Sequence, residues 1–121
     1  MEFNFDSKTP IYIQIIEQIK ADIISGKIAA GEKLPSVREI AFNLKVNPNT
    51  VQKALSDLEE TGLIYTERTN GKFVTDELAL IEKYKKEHAD RLCEKFLENM
   101  KTIGYTYGEV LEYLNKFGGN K

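Results

Sequence analysis

Two helix-start signals only eleven residues apart constrain this chain more than anything else in it. The first is Ser36-Val-Arg-Glu39, where the serine hydroxyl and the glutamate carboxylate each satisfy the other residue's backbone N–H, a capping box. The second is Asn47-Pro48, a side chain suited to capping followed by a residue whose missing N–H costs nothing in the first turn. Between the two there is room for one short helix, with Val37, Ile40, Ala41 and Leu44 spaced as its buried stripe and Lys45–Val46 as a tight connection. Beyond Pro48 the stripe resumes at Val51, Ala54, Leu55 and Leu58 and stops at Gly62. Two short amphipathic helices joined by so brief a turn, with small Ala41 where they cross, predict a helix-turn-helix.

The flanking segments complete a domain. Residues 11–24, IYIQIIEQIKADII, place Ile11, Ile15, Ile19 and Ile23 at helical spacing, with Tyr12 and Ile16 beside them. Thr9 suits the N-cap, Pro10 the first helical position and Gly26 the stop. Gly26–Pro35 reads as a connection with a short extended piece at Lys33–Leu34. Residues 63–74, LIYTERTNGKFV, favour strand, and Asn70–Gly71 predicts a two-residue type I′ hairpin turn. A hairpin directly after a helix-turn-helix is a wing, and it must lean on the helices because a lone hairpin is marginal.

From Glu77 the period is helical again. Leu78, Ile81, Tyr84, His88, Leu92, Phe96 and Met100 form a stripe of about six turns that Gly104 breaks. Thr106 and Glu109 make another capping box, opening a helix with Val110, Leu111, Leu114 and Phe117 on one face. Two such helices are too few to bury both stripes internally, so pairing with a second copy of the chain is expected. The expected architecture is mainly α with a small β-hairpin: a winged helix-turn-helix domain over 1–76 and a two-helix dimerisation region over 77–121. The ten residues named on these two stripes, Leu111 aside, are the expected dimer contacts.

Composition limits the chemistry. A single cysteine, Cys93, excludes an internal disulfide and a cysteine-rich zinc site, and fits a reducing compartment. No apolar run approaches a membrane span, and MEFNFDSKTP lacks the basic and apolar parts of a signal peptide, so a cytoplasmic protein is expected. No catalytic triad spacing, phosphate-cradling glycine loop or HxxxH pair is present, so neither an enzyme nor a metal or other cofactor is expected. His88 lies on the apolar stripe, where packing is its expected role. Tyr84, Tyr105, Tyr107 and Tyr113 could line an effector pocket, but packed positions are expected of them, so a small-molecule effector is possible and unsupported.

Net charge, −2 from 17 Lys plus Arg and 19 Asp plus Glu, does not by itself favour nucleic acid. Local charge does. Residues 33–53 carry Lys33, Arg38, Lys45 and Lys53 against Glu39, a net +3, while Asp57, Glu59 and Glu60 follow at the far end of the second helix. Within 47-NPNTVQKAL-55, Pro48, Asn49 and Gln52 fall on the outward face, where amide side chains read adenine or bind phosphate, and Thr50 and Lys53 suit the backbone. Arg68, Thr69, Asn70, Gly71 and Lys72 at the wing tip suit a minor groove or phosphates. With Lys33, Ser36, Arg38 and Asn47 these are the expected contacts to double-stranded DNA. The alternative is a winged-helix module whose polar helix meets a protein, which the acidic balance favours weakly.

The segments 10-PIYIQI-15, 34-LPSVREIA-41, 46-VNPNTVQKAL-55, 58-LEETGLI-64 and 71-GKFV-74, ordered and correctly spaced over residues 9–75, resemble the N-terminal domain of GntR-family transcription regulators. The tail, with 100-MKTIGYTYGEVLEYL-114, resembles the YtrA subfamily. The resemblance implies a bacterial dimeric winged-helix regulator, usually a repressor, binding an inverted-repeat operator and often controlling a transporter operon. It also implies that Arg38 meets phosphate or guanine, that Asn47, Pro48, Asn49, Thr50, Gln52 and Lys53 occupy the recognition positions, and that Thr69 to Lys72 form the wing tip. The family's wing often reads Gly-x-Gly-x-Phe-Val, and Thr69 stands here for the first glycine, a residue less tolerant of positive φ.

Overall fold

The computed structural model describes residues 4–119, in the order α1 (Ile11–Ile24), α2 (Val37–Leu44), α3 (Pro48–Thr61), β1 (Ile64–Glu67), β2 (Gly71–Val74), α4 (Leu78–Thr102) and α5 (Tyr107–Gly118). It divides into two compact units, 1–85 and 86–121. The division lies later than the expected 76/77 boundary because Leu80, Ile81 and Tyr84 of α4 pack against the first core.

That core is built from the predicted stripes. Ile15, Ile19 and Ile23 of α1 meet Ile40 and Ala41 of α2 and Val51, Ala54, Leu55 and Leu58 of α3, all buried. Each large aliphatic side chain removed from water this completely contributes roughly 1.5–3 kcal/mol. Leu63, Ile64 and Val74 carry the hairpin into the same core, which is how a two-stranded sheet is held. A third extended piece joins it: Lys33 bridges Phe73, Leu34 N–H donates to the Lys72 carbonyl at 2.8 Å, and Val74 N–H donates to the Glu32 carbonyl at 2.9 Å.

The caps of α2, α3 and α5 follow the sequence. Ser36 Oγ accepts from Glu39 N–H at 3.1 Å while Ser36 N–H donates to Glu39 Oε1 at 3.2 Å. Asn47 Oδ1 accepts from Asn49 N–H at 2.7 Å. Thr106 and Glu109 make the reciprocal pair at 3.2 and 2.9 Å. Between α2 and α3, Lys45 takes a left-handed φ of 57°, and Val46 N–H reaches back to the Ala41 carbonyl at 3.0 Å.

Several local expectations change. Thr9 does not cap α1: Pro10 holds the N-cap position without a side-chain bond, and Ile11, the first helical residue and the expected start of the buried stripe, is exposed. Asp6 Oδ1 instead accepts from the N–H groups of Lys8 and Thr9, and Gln14 Nε2 donates to the carbonyls of Asp6 and Thr9, so the segment before α1 is folded by side chains. The hairpin turn is also different. Ile64 pairs with Val74 and Glu67 with Gly71, leaving Arg68, Thr69 and Asn70 as a three-residue loop closed by Asn70 N–H on the Glu67 carbonyl at 3.2 Å. Positive φ falls on Gly71, at 102°, and on neither Asn70 nor Thr69.

In the second unit, Val110 alone is buried among the described residues. Tyr113 stands edge-on to Tyr105 at 5.7 Å and stacks on Phe117 at 6.4 Å. A 510 Å³ cavity at the turn between the helices is lined by residues that include Leu97, Tyr105, Tyr107 and Val110.

Candidate nucleic-acid interface

The second helix of a helix-turn-helix presents whatever its buried stripe leaves over. In α3, Val51, Ala54, Leu55 and Leu58 turn inward, so Pro48, Asn49, Gln52, Lys53 and Ser56 face solvent, with Thr50 half-buried. The Gln52 amide donates to Ser56 Oγ at 3.3 Å, which leaves its carbonyl oxygen to accept from a base edge. Asn47 spends its carbonyl oxygen on the cap, which leaves its NH2 group as donor. The N–H groups of Asn49, Thr50 and Val51 are all taken by Asn47, so what this helix start offers an anion is the partial positive charge of its dipole.

Arg38 is exposed on α2 and takes part in no ion pair among the described residues. Ser36, also exposed, is committed to its capping box. Lys33 lies on the bridging strand, its stem 3.3 Å from where a Cβ on Gly71 would stand. That close approach and the 102° φ together make Gly71 a position for glycine. A groove of 330 Å³ separates the start of α2 from the wing, with Lys33, Ser36, Arg68, Asn70 and Gly71 among its lining residues. Arg68, Thr69 and Asn70 are all exposed at the tip, and the Asn70 amide donates to Glu67 Oε2 at 3.1 Å.

Two of the predicted cationic contacts are engaged within the domain itself. The Lys53 ammonium sits 3.9 Å from the centre of the Tyr12 ring, a cation–π contact between α3 and α1. The Lys72 ammonium is bound by Glu59 of α3 and donates to Thr66 Oγ1 at 2.9 Å. Glu59 Oε1 also accepts from Thr66 Oγ1 at 2.6 Å. The Lys72 ammonium first, and the Thr66 hydroxyl second, hold the Glu59 carboxyl below its ordinary value. Neither Tyr12 nor Glu59 stands out in the sequence as a partner for these lysines. Strand parity holds the missed signal: Lys72 lies two residues before buried Val74, so both side chains leave the strand on the face toward α3. Phe42, one turn beyond Arg38, is 82% exposed, and nothing in the sequence stripe marks it.

The expected dimer contacts separate by unit. In the first, Ile81 and Tyr84 pack on the core and Tyr84 Oη donates to the Thr61 carbonyl at 3.3 Å, while Leu78 is exposed. In the second, Leu92, Phe96, Leu114 and Phe117 are exposed, His88 and Met100 are half-buried, and Val110 is buried within its own chain.

A trihelical core, a hairpin seated on it and an outward polar helix start with flanking cations define a winged helix-turn-helix DNA-binding protein. The family model for bacterial regulatory proteins of the gntR family matches residues 11–74. The chain is 38% identical to the uncharacterized HTH-type transcriptional regulator YhcF of Bacillus subtilis (strain 168) over 97% of both chains. It is 49% identical to the HTH-type transcriptional repressor YtrA of the same organism, over 58% of this chain and 54% of that one. Among solved structures, a GntR family transcriptional regulator from Listeria monocytogenes superimposes with a TM-score of 0.86 at 41% identity, covering 93% of this chain and 98% of that one. The AraR DNA-binding domain in complex with operator ORE1 gives a TM-score of 0.54 at 32% identity over 62% of this chain and 94% of that one. The chain belongs to the GntR family of DNA-binding transcriptional regulators.

Proposed function

We propose that this chain is a homodimeric repressor that binds an inverted-repeat operator through the first turns of α3. The observation that carries the reading is the sidedness of that helix: Val51 and Leu55 are fully buried while Asn49 and Gln52, on the opposite side, are exposed. Gln52 and Asn49 read base edges in the major groove, Arg38 and the start of α3 engage phosphate or guanine, and Arg68 to Asn70 reach the flanking groove. Repression is supported by the similarity to the repressor YtrA, and a transporter operon as target by the resemblance of the tail sequence, residues 100–114, to that subfamily.

Dimerisation is supported by the second unit. It exposes Leu92 at 59% and Phe117 at 53%, with Phe96, Leu111 and Leu114 also exposed, around one buried valine. A unit this small that buries so little is unfavourable in water alone, and a second copy is the self-complementary cover for such a surface.

The test is a titration of the DNA immediately upstream of the chain's own gene at several salt concentrations. Sequence-preferring binding is expected, with an affinity that falls steeply with salt, since phosphate neutralisation releases counterions. Binding that is indifferent to sequence and salt would support the protein-interaction module instead.

A further inference from the structure

Glu59, Thr66 and Lys72 come from α3, β1 and β2 and close a three-way network. Thr66 and Lys72 are register partners across the hairpin, and both lie on the face that carries Ile64 and Val74 into the core. The Lys72 side chain is only 17% exposed. Apolar burial of Ile64 and Val74 holds the wing on the domain but is non-directional. Charge-assisted hydrogen bonds are directional, and here they join the hairpin to the helix that carries Asn49 and Gln52. The lysine is also the wing cation nearest the tip after Arg68, which has no ion pair among the described residues.

We infer that Glu59 is a positioning residue for DNA recognition: it fixes the wing's orientation on α3 and withdraws Lys72 from the cations that meet phosphate. The inference rests on the proposed role of the wing tip as a DNA contact. It divides the labour in the wing, with Arg68 facing the duplex and Lys72 serving as an internal strut. Glu59, on an otherwise acidic helix end, is then a specificity element, because a wing free to pivot would meet any phosphate within reach.

Salt dependence separates a strut from a phosphate contact. Affinities of the full chain for the upstream fragment, and for a scrambled duplex of equal length, are measured at several KCl concentrations, with thermal melts confirming folded protein. Lys72→Met keeps the stem and removes the charge. It is expected to leave the slope of log K against log salt unchanged, whereas removal of a phosphate-neutralising cation would reduce the slope by about 0.9 per chain engaged. Glu59→Gln keeps the shape and frees the ammonium, so the slope is expected to steepen by about that same 0.9 while preference for the upstream fragment falls. The double variant is expected to return to the parent slope. A shallower slope for Lys72→Met, or an unchanged one for Glu59→Gln, overturns the inference. Arg68→Ala tells the two readings apart: a reduced slope upholds wing contact whatever Glu59 does, and an unchanged slope removes the reading on which the inference rests.

Discussion

Lys45 holds a backbone conformation that L-residues avoid, with φ at 57°, in the turn between α2 and α3 that closes with Val46 N–H on the Ala41 carbonyl. That conformation costs a non-glycine residue about 1–2 kcal/mol, and glycine gives back about 0.5–1 of it in chain entropy. Lys45→Gly is therefore expected to stabilise the domain by about 0.5 kcal/mol in urea unfolding, and a net loss would show that the lysine side chain contributes packing. Glu59 gives a pH signature with a definite sign. Its carboxyl lies below the ordinary 4.5 in the folded chain, so its contribution is complete above that value and is lost as pH falls through the depressed one. Backbone resonances of Thr66 and Lys72 are expected to titrate with a midpoint below 4.5, and that titration should vanish in Glu59→Gln. Arg38→Ala should leave the melting curve nearly unchanged, since the side chain is exposed, while weakening DNA binding by about 1.5–3 kcal/mol if it removes a charged hydrogen bond. Equal affinity in a folded dimer would mean that α2 does not face the duplex.

Among the elements, what was legible in the sequence was what local chemistry decides. The helices α2, α3 and α5 begin where Ser36–Glu39, Asn47–Pro48 and Thr106–Glu109 say they should, because capping is satisfied within a few residues. Asn47→Ala accordingly should cost about 1 kcal/mol of stability and loosen the start of the proposed recognition helix, seen as earlier hydrogen exchange at Asn49 and Thr50. The α3 face was equally legible, since burial of Val51, Leu55 and Leu58 follows from period alone. The hairpin turn was not. Asn70–Gly71 suits a two-residue turn, yet the register is fixed by Ile64 and Val74 against a core drawn from three helices, and a three-residue loop is what remains. Lys72's engagement with Glu59 escaped for a related reason, being set by which strand face meets α3. The fold was thus read from short-range signals, and the pairings that couple elements needed the assembled domain.

At the scale of the molecule, the proposed pairing rests on the second unit. Its exposed Leu92 and Phe96 lie where the proposed partner copy packs, so Leu92→Asp should yield a monomer by sedimentation at concentrations where the parent is dimeric. A monomer would also lose the affinity gained from engaging two half-sites. A parent that is monomeric throughout would remove the pairing and leave the first unit's DNA surface standing alone. Whether two outward α3 segments read one operator is decided by a hydroxyl-radical footprint on the upstream DNA at saturating protein. Two related protected patches are expected, centred about one helical turn (~34 Å) apart, both disappearing together in an Asn49/Gln52 double alanine variant that still folds. Protection that persists unchanged in that variant would contradict the proposed mode of binding.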